Sequence, residues 1–452
     1  MIMKYLKIGS RIILGVVFIF SGFVKAVDPL GSVYKFSDYF SAFKLGFMEF
    51  TTLPLGVFLA VFELVLGITL ILGYRRRIVY WVLMWFMSFF TLLTFILAIS
   101  NPVSDCGCFG DALILTNWET FLKNVILMVF VLILYFNRKQ EVETGHPSRE
   151  WMVVIVLFAG VSWFSIWNYK HLPLLDFRPY DVGTVIQDEM EIPEGAPIDE
   201  YETSLTYRNK KSGKSETFTL ESYPRDTLEW EFESSDSKLV KKGYEPPIHD
   251  FAVMDEYGND LTDEILNDPG YSLLMISYNL SDANDPALIK ARDWSQLEVL
   301  ASEFSFYGVT SSPTEEVELR SSSLGLGFGF LAADEIMLKT VVRSNPGFIL
   351  LKHGTIIGKW GYRDFPAIED IDPQWTELIG NASAPMDEEA QMLMEAGIYE
   401  EFSFDVLDFD HFAAGLIFEK EMKKKELGVI IAFIMGILIL MLLSRFISPI
   451  NE

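Results

Sequence analysis

The chain has 452 residues, half of them apolar, with 37 phenylalanines and a formal net charge of −26 at pH 7. That balance excludes a nucleic-acid binder, because phosphate contacts need a basic surface, and the length allows several domains. Apolar runs fill the first 170 residues and a short piece near the end, while most carboxylates fall between about 175 and 421. This segregation is that of a membrane protein carrying a soluble acidic domain, and the acidic surface reads as ordinary solvation.

A hydrocarbon core takes about 20 apolar residues per helical span, with a range of roughly 17–25. Six runs are read as spans: Leu6–Val24, Leu53–Leu72, Ile78–Ile99, Trp118–Phe136, Met152–Trp167 and Leu427–Phe446. The first has the basic start of a signal peptide, but Lys25 and Asp28 follow it instead of a small-x-small cleavage site, so it is read as a span. Arg11 near its start can snorkel. The fifth is short, with Trp151, Trp163 and Trp167 as interfacial anchors.

Lys and Arg in the short loops set the expected orientation. Lys4, Lys7 and Arg11, then Arg75–Arg77, then Arg138, Lys139 and Arg149 place the N-terminus and two loops inside. The gap between spans three and four is then outside, as is everything from 170 to 425. Lys423, Lys424 and Lys425 run against this assignment, whereas the parity of five preceding spans and Arg445 favour it. The expected arrangement is an integral protein of a bacterial inner membrane, with both termini cytoplasmic and residues 170–425 periplasmic.

The chain's only two cysteines stand one residue apart in that outer gap, in Ser104-Asp105-Cys106-Gly107-Cys108-Phe109-Gly110-Asp111. Gly107 has no Cβ and permits the bend needed to bring the thiols together. So small a disulfide ring strains the bond and makes it easy to reduce. Asp105 and Asp111 are expected to raise both thiol pKa values. The same residues equally suit a structural disulfide that pins the loop, or two idle thiols. No metal site is expected, since structural zinc takes four Cys or His ligands and the nearest histidine, His146, lies across another apolar run. Glu63 lies near the middle of span two, where an ionisable group is costly and implies a function or a buried partner. Lys123, one to two turns into span four, is the expected partner, in a packing ion pair or in proton handling.

The Ser-Gly-x-x-Lys-x-x-Asp-Pro motif (Ser21 to Pro29) and the Glu-Leu-x-x-Gly run of Glu63, Leu64 and Gly67 resemble the DoxX family. The Cys-Gly-Cys-Phe-Gly loop resembles the MauE branch of that group, described as redox-associated membrane proteins. The resemblance covers roughly residues 5–137 and implies a thiol pair at Cys106 and Cys108 that works on exported partners. A quinone is a chemically reasonable electron acceptor, and no residue in the sequence specifies one.

Beyond the fifth span, Leu172–Gly183 reads as polar and extended. Glu202–Arg208, Glu216–Glu221 and Thr227–Phe232, with a turn at Lys211-Ser212-Gly213-Lys214, read as a small β element within residues 171–245. From Pro246 the order is a buried strand (Tyr271–Tyr278), a helix capped by Asp285-Pro286 and running to Phe304, and a strand (Phe306–Thr310). A helix (Glu335–Val342) and, after Asn345-Pro346, a hairpin of Phe348–Leu351 and Thr355–Trp360 follow. This order resembles a thioredoxin-like fold of the peroxiredoxin and TlpA-like branch over residues 246–365. That fold carries its reactive cysteines just after the first core strand, but here the segment is Asn279 to Asp285, without cysteine. Pro346 matches the proline that is cis in this fold, next to where active relatives hold a peptide, so the domain is read either as a docking module or as a spacer. Residues 366–426 read as helix and linker, with alternating aromatic and acidic residues at Phe402–Phe412 as a partner contact or tether.

The fold class expected is therefore a polytopic helical bundle, residues 1–137 with further spans at 138–170 and 427–446, carrying a small β element and an α/β thioredoxin-like domain. The expected function is thiol–disulfide exchange with an exported or envelope protein through Cys106 and Cys108, with Glu63, Lys123 and Pro346 as binding residues and lipid as the surrounding partner. The alternative is a non-catalytic membrane-anchored scaffold. A transporter is disfavoured, since neither paired broken helices nor an internal repeat is evident.

Overall fold

The structure, a computed structural model, describes residues 2–103, 105–141, 147–241, 243–299, 304–368 and 428. The sixth expected span, Leu427–Phe446, lies outside them apart from residue 428, as do Phe402–Phe412 and nearly all of the 366–426 linker.

The membrane segment contains α1 (Ile2–Val27), α2 (Pro29–Ala42), α3 (Thr52–Leu72), α4 (Arg76–Ser100), α5 (Asn117–Asn137) and α6 (Pro147–Lys170). Among the described residues five helices, all but α2, are long and apolar enough to cross a membrane. Leu14, Phe18, Leu66, Leu70, Leu83 and Val131 pack into the interior of the bundle. α1 and α3 come together at Gly22, where a Cβ would lie 2.3 Å from the backbone nitrogen of Leu64. Lipid tails are as apolar as the helices, so such backbone approach, rather than a hydrophobic drive, holds spans together. Arg11 turns its guanidinium to the end of α3, where it donates to the carbonyls of Leu70 and Ile71 at 3.0 and 2.9 Å, in the last turn, where carbonyls run short of helical partners.

Helix α2 is the element that the sequence reading missed. Asp28 caps it by accepting from the Gly31 amide at 3.1 Å, and Pro29 occupies its first turn. The Asp-Pro pair of the motif is therefore a helix start, where a missing N–H costs nothing.

Residues Thr184–Phe251 form a compact unit of their own. It holds α7 (Ile186–Met190) and a three-stranded antiparallel sheet of β1 (Glu200–Asn209), β2 (Ser215–Thr219) and β3 (Trp230–Lys241), in the order β2-β1-β3. The third strand starts and ends later than expected. A turn in which the Asp226 carbonyl accepts from the Trp230 amide occupies its predicted start. Its second half, Glu233 to Lys241, is mostly polar and shows no apolar alternation.

The remaining soluble elements are α8 (Thr262–Leu266), β4 (Tyr271–Ser277), α9 (Asp285–Ser295), β5 (Phe304–Thr310), α10 (Thr314–Leu324), β6 (Phe330–Ala332), α11 (Glu335–Val341), β7 (Gly347–Lys352) and β8 (Thr355–Gly361). They build a five-stranded sheet in the order β6-β5-β4-β7-β8. β4, β5 and β6 are parallel, and β7 and β8 are antiparallel to their neighbours. This is the thioredoxin-like arrangement expected, and β4 is buried along its whole length, as a continuous apolar run at a sheet centre must be. Leu273, Met275, Trp294, Phe306, Phe348 and Phe365 belong to its core. Asn284, not Asp285, caps α9 by accepting from the Ala287 amide. α10 and β6 were not foreseen, because α10 fully buries none of its side chains and turns only Val317 and Leu324 to the core, too few for an apolar stripe.

The segment 172–183, read as polar and extended, is held to the sheet domain by buried ion pairs. Asp176 accepts from Lys359 Nζ at 2.7 Å and from Arg178 Nε and Nη2 at 2.7 and 2.8 Å. Lys359 also donates to the Tyr180 carbonyl at 2.8 Å, and only 3% of its surface is exposed. Burial, aided by Arg178, pulls the Lys359 ammonium down to about 8 despite Asp176 beside it. Asp176→Asn should therefore strand two buried cations and cost about 3–5 kcal/mol, and Lys359→Met should cost less. Denaturant titration of the detergent-solubilised chain, followed by tryptophan fluorescence, measures both.

Candidate functional site

The cysteine loop joins α4 to α5. α4 ends at Asn101, in the left-handed conformation, and α5 begins with a capping box of Thr116 and Glu119. An isolated bridge between Asp105 and Thr116 closes the base of the loop. Within it, Gly107 has φ +61° and faces the Lys35 side chain, whose Cγ would lie 2.8 Å from an added Cβ. Glycine alone takes this bend without strain. The sulfurs of Cys106 and Cys108 stand 2.6 Å apart, and both residues are free, half-buried cysteines.

Neighbouring elements hold each peptide of the loop. From α2, Lys35 donates to Asp105 at 2.6 Å and Tyr39 donates to the Cys106 carbonyl at 2.8 Å. From α1, Ser21 and Lys25 donate to the Cys108 carbonyl at 2.7 and 2.6 Å. Lys25 also donates to Glu63 of α3 at 2.7 Å, with both residues buried. This corrects the expected Glu63–Lys123 pair: Lys123 instead sits over the Phe109 ring, 4.1 Å from its centroid. Buried charge demands a close counter-ion, and the end of α1 brings Lys25 to Glu63.

The loop's acids are also neutralised from outside it. Asp105 pairs with Lys35, and Asp111 with Arg343 Nη2 at 2.6 Å. Arg343 precedes the Asn345–Pro346 bond, which is cis, and its Nε reaches Asp28 at 3.0 Å. Tyr278, at the end of β4, meets Tyr34 of α2 edge-on at 6.5 Å between centroids. The end of β4 and the Arg343 segment of the sheet domain thus rest on α2 and the cysteine loop. Pro346 lies in this contact region and is not among the residues lining the cavity at the cysteines.

The expectation that the aspartates raise both thiols fails for Cys106. A hydrogen bond with the Cys108 thiol is the main influence pulling Cys106 down to about 6. Burial opposes it, while Thr120 (Oγ1 3.4 Å from the sulfur) and Lys123 assist. The same hydrogen bond and burial push Cys108 up.

Of the residues proposed from sequence, Cys106, Cys108, Glu63 and Lys123 line one cavity of about 320 Å³. Lys25, Lys35, Tyr39 and Arg343 were not given roles. The Asp28-Pro29 helix start was the one signal that could have revealed α2, and with it Lys35 and Tyr39.

Comparison with known proteins gives the following. Residues 201–242 match a domain of unknown function (DUF8463). A search of curated proteins finds no match. Among solved structures, the chain is similar to a putative protein disulfide isomerase from Bacteroides thetaiotaomicron at 15% identity, over 33% of this chain and 91% of that one, with a TM-score of 0.21. It is also similar to a putative thioredoxin from Neisseria meningitidis at 16% identity, over 31% and 93% of the two chains, with a TM-score of 0.21. The protein is an integral membrane protein, and its segment that carries the dithiol, residues 3–137, matches the family Methylamine utilisation protein MauE.

Proposed function

We propose that the chain is a membrane thiol–disulfide redox component that exchanges electrons with an exported protein on the periplasmic side of a bacterial inner membrane. The observation that carries this reading is the pair of free cysteines, Cys106 and Cys108, with sulfurs 2.6 Å apart in a loop braced from α1, α2 and the sheet domain. Cys106 attacks a partner disulfide, and one partner sulfur leaves as a thiolate that takes the Cys108 proton. Cys108 then attacks Cys106 in the mixed disulfide, which closes the Cys106–Cys108 bond and releases the reduced partner. Run in reverse, the same steps place a disulfide in a partner dithiol. The sheet domain has no cysteine of its own and serves to position the partner.

The test is the pH profile of iodoacetamide alkylation on the reduced chain. An ordinary thiol ionises near 8.5, whereas Cys106, pulled to about 6, should reach its plateau rate by about pH 7. Thiolate increases as pH rises through the pKa, so Cys108→Ala, which removes the leading cause of the shift, should move the inflection upward. In cells, Cys108→Ala should trap exported proteins as mixed disulfides. A chain that holds its partners equally well with both cysteines replaced by serine is a scaffold, the reading favoured by the cysteine-free sheet domain, and not an exchanger.

A further inference from the structure

The dithiol faces a cavity of about 320 Å³ that extends from the cysteine loop between α1, α2, α3, α4 and α5 into the apolar part of the bundle. Phe36, Tyr39, Phe86, Phe90 and Leu93 line it, and Cys106 and Cys108 form part of its wall. Two other lining residues, Phe43 and Phe89, are 40% and 61% exposed, so the cavity is reached from the outer apolar face of the bundle, where lipid lies. Small-molecule sites run from about 300 to 1,000 Å³, so this volume suits one ring system and not a folded polypeptide.

Lys123 is the second, independent observation. It lines the same cavity and makes no hydrogen bond or ion pair among the described residues; its partner is the face of Phe109. The other two cations in the wall are engaged, Lys25 by Glu63 and Lys35 by Asp105. Lys123, half-buried in the second turn of α5, also favours the Cys106 thiolate, so its charge acts at the reacting sulfur and at the cavity together.

We propose that this cavity is a quinone site and that the quinone is the electron acceptor of the dithiol. The inference rests on the exchange reading above and adds the acceptor and its place. The Cys106 thiolate and the Cys108 thiol together lose two electrons and one proton as the S–S bond forms. The quinone takes both electrons, the Cys108 proton and one proton from the Lys123 ammonium, leaving as quinol; water restores the Lys123 proton. Lys123 also pairs with the oxyanion that develops on the ring, and the aromatic walls stack on its faces.

The experiment uses the full chain, reduced and in lipid nanodiscs, with decylubiquinone as the probe, since its fully substituted ring does not add thiols. Quinol formation is followed by absorbance and the cysteine pair by alkylation. Glutathione disulfide serves as a second oxidant that does not need the cavity. One quinol per chain is expected, formed together with the Cys106–Cys108 disulfide. Lys123→Met should lower the quinone rate, relative to the same variant's rate with glutathione disulfide, roughly a hundredfold, the scale of losing one placed proton donor or charge. Lys123→Arg should recover part of it, and Leu93→Trp, which fills the cavity, should lower the same ratio. Should Leu93→Trp fail to fold, the Met and Arg pair at position 123 decides. Quinol formation with the ratio unchanged in Lys123→Met overturns the site. Oxidation by glutathione disulfide with no quinol overturns the acceptor and leaves the exchange reading standing, whereas a dithiol inert to both oxidants overturns the exchange reading too.

Discussion

Glu63→Leu is expected to destabilise the bundle by about 3–5 kcal/mol, the cost of leaving one member of a buried ion pair without its counter-charge. Glu63 and Lys25 are 6% and 5% exposed. Without the carboxylate, Lys25 keeps only the Ser21 hydroxyl and the Cys108 carbonyl as acceptors. A buried ion pair replaced whole by apolar residues of similar volume is often close to neutral. The double variant Lys25→Leu/Glu63→Leu should therefore recover most of the stability, and a double-mutant cycle by denaturant titration in detergent isolates the pair. The double variant should still alkylate differently at the cysteine loop, because the Cys108 carbonyl loses its ammonium donor. A stable double variant whose loop behaves as in the parent would show that the pair acts on folding alone.

The second large effect is expected at Arg343. One guanidinium, 6% exposed, reaches Asp28 at the head of α2, Asp111 in the cysteine loop and the Lys339 carbonyl in its own domain at 2.7 Å. Arg343→Met leaves two carboxylates facing each other across an apolar side chain, again at a cost of about 3–5 kcal/mol. The loss should appear first where the sheet domain meets the membrane segment, as faster amide exchange in α2 and faster alkylation of Cys106. Lysine restores the charge but not the planar fork that serves two acids at once, so Arg343→Lys should recover only part of the protection. Parent-like exchange and alkylation in Arg343→Met would mean that this contact does not brace the cysteine loop.

Much of this architecture could be read residue by residue. The Tyr271–Ser277 strand stood out as an unbroken apolar run, and the hairpin after Pro346 was announced by His353-Gly354, whose φ values of 49° and 65° make the tight turn. α10 was hidden for the opposite reason: a helix that sets only Val317 and Leu324 against the core writes almost no period into its sequence. The site shows the same division. A glycine between two cysteines in a polar gap brings two thiols together, but the ionisation of each depends on the other thiol, on burial and on groups brought from α1 and α5.

Hydropathy and the order of the apolar runs determined by themselves that the chain spans a membrane several times, carries a strand–helix–strand and hairpin domain without thiols and keeps its only thiol pair in a polar loop. Those properties are local, set by runs of neighbouring residues. The tertiary structure alone decided that Lys25 rather than Lys123 answers Glu63, that Arg343 ties the sheet domain to the cysteine loop, and that Lys123 faces a cavity beside the sulfurs. Each of these depends on the rotation and crossing of helices far apart in the chain, and a charge selects whichever partner that packing brings within about 3 Å.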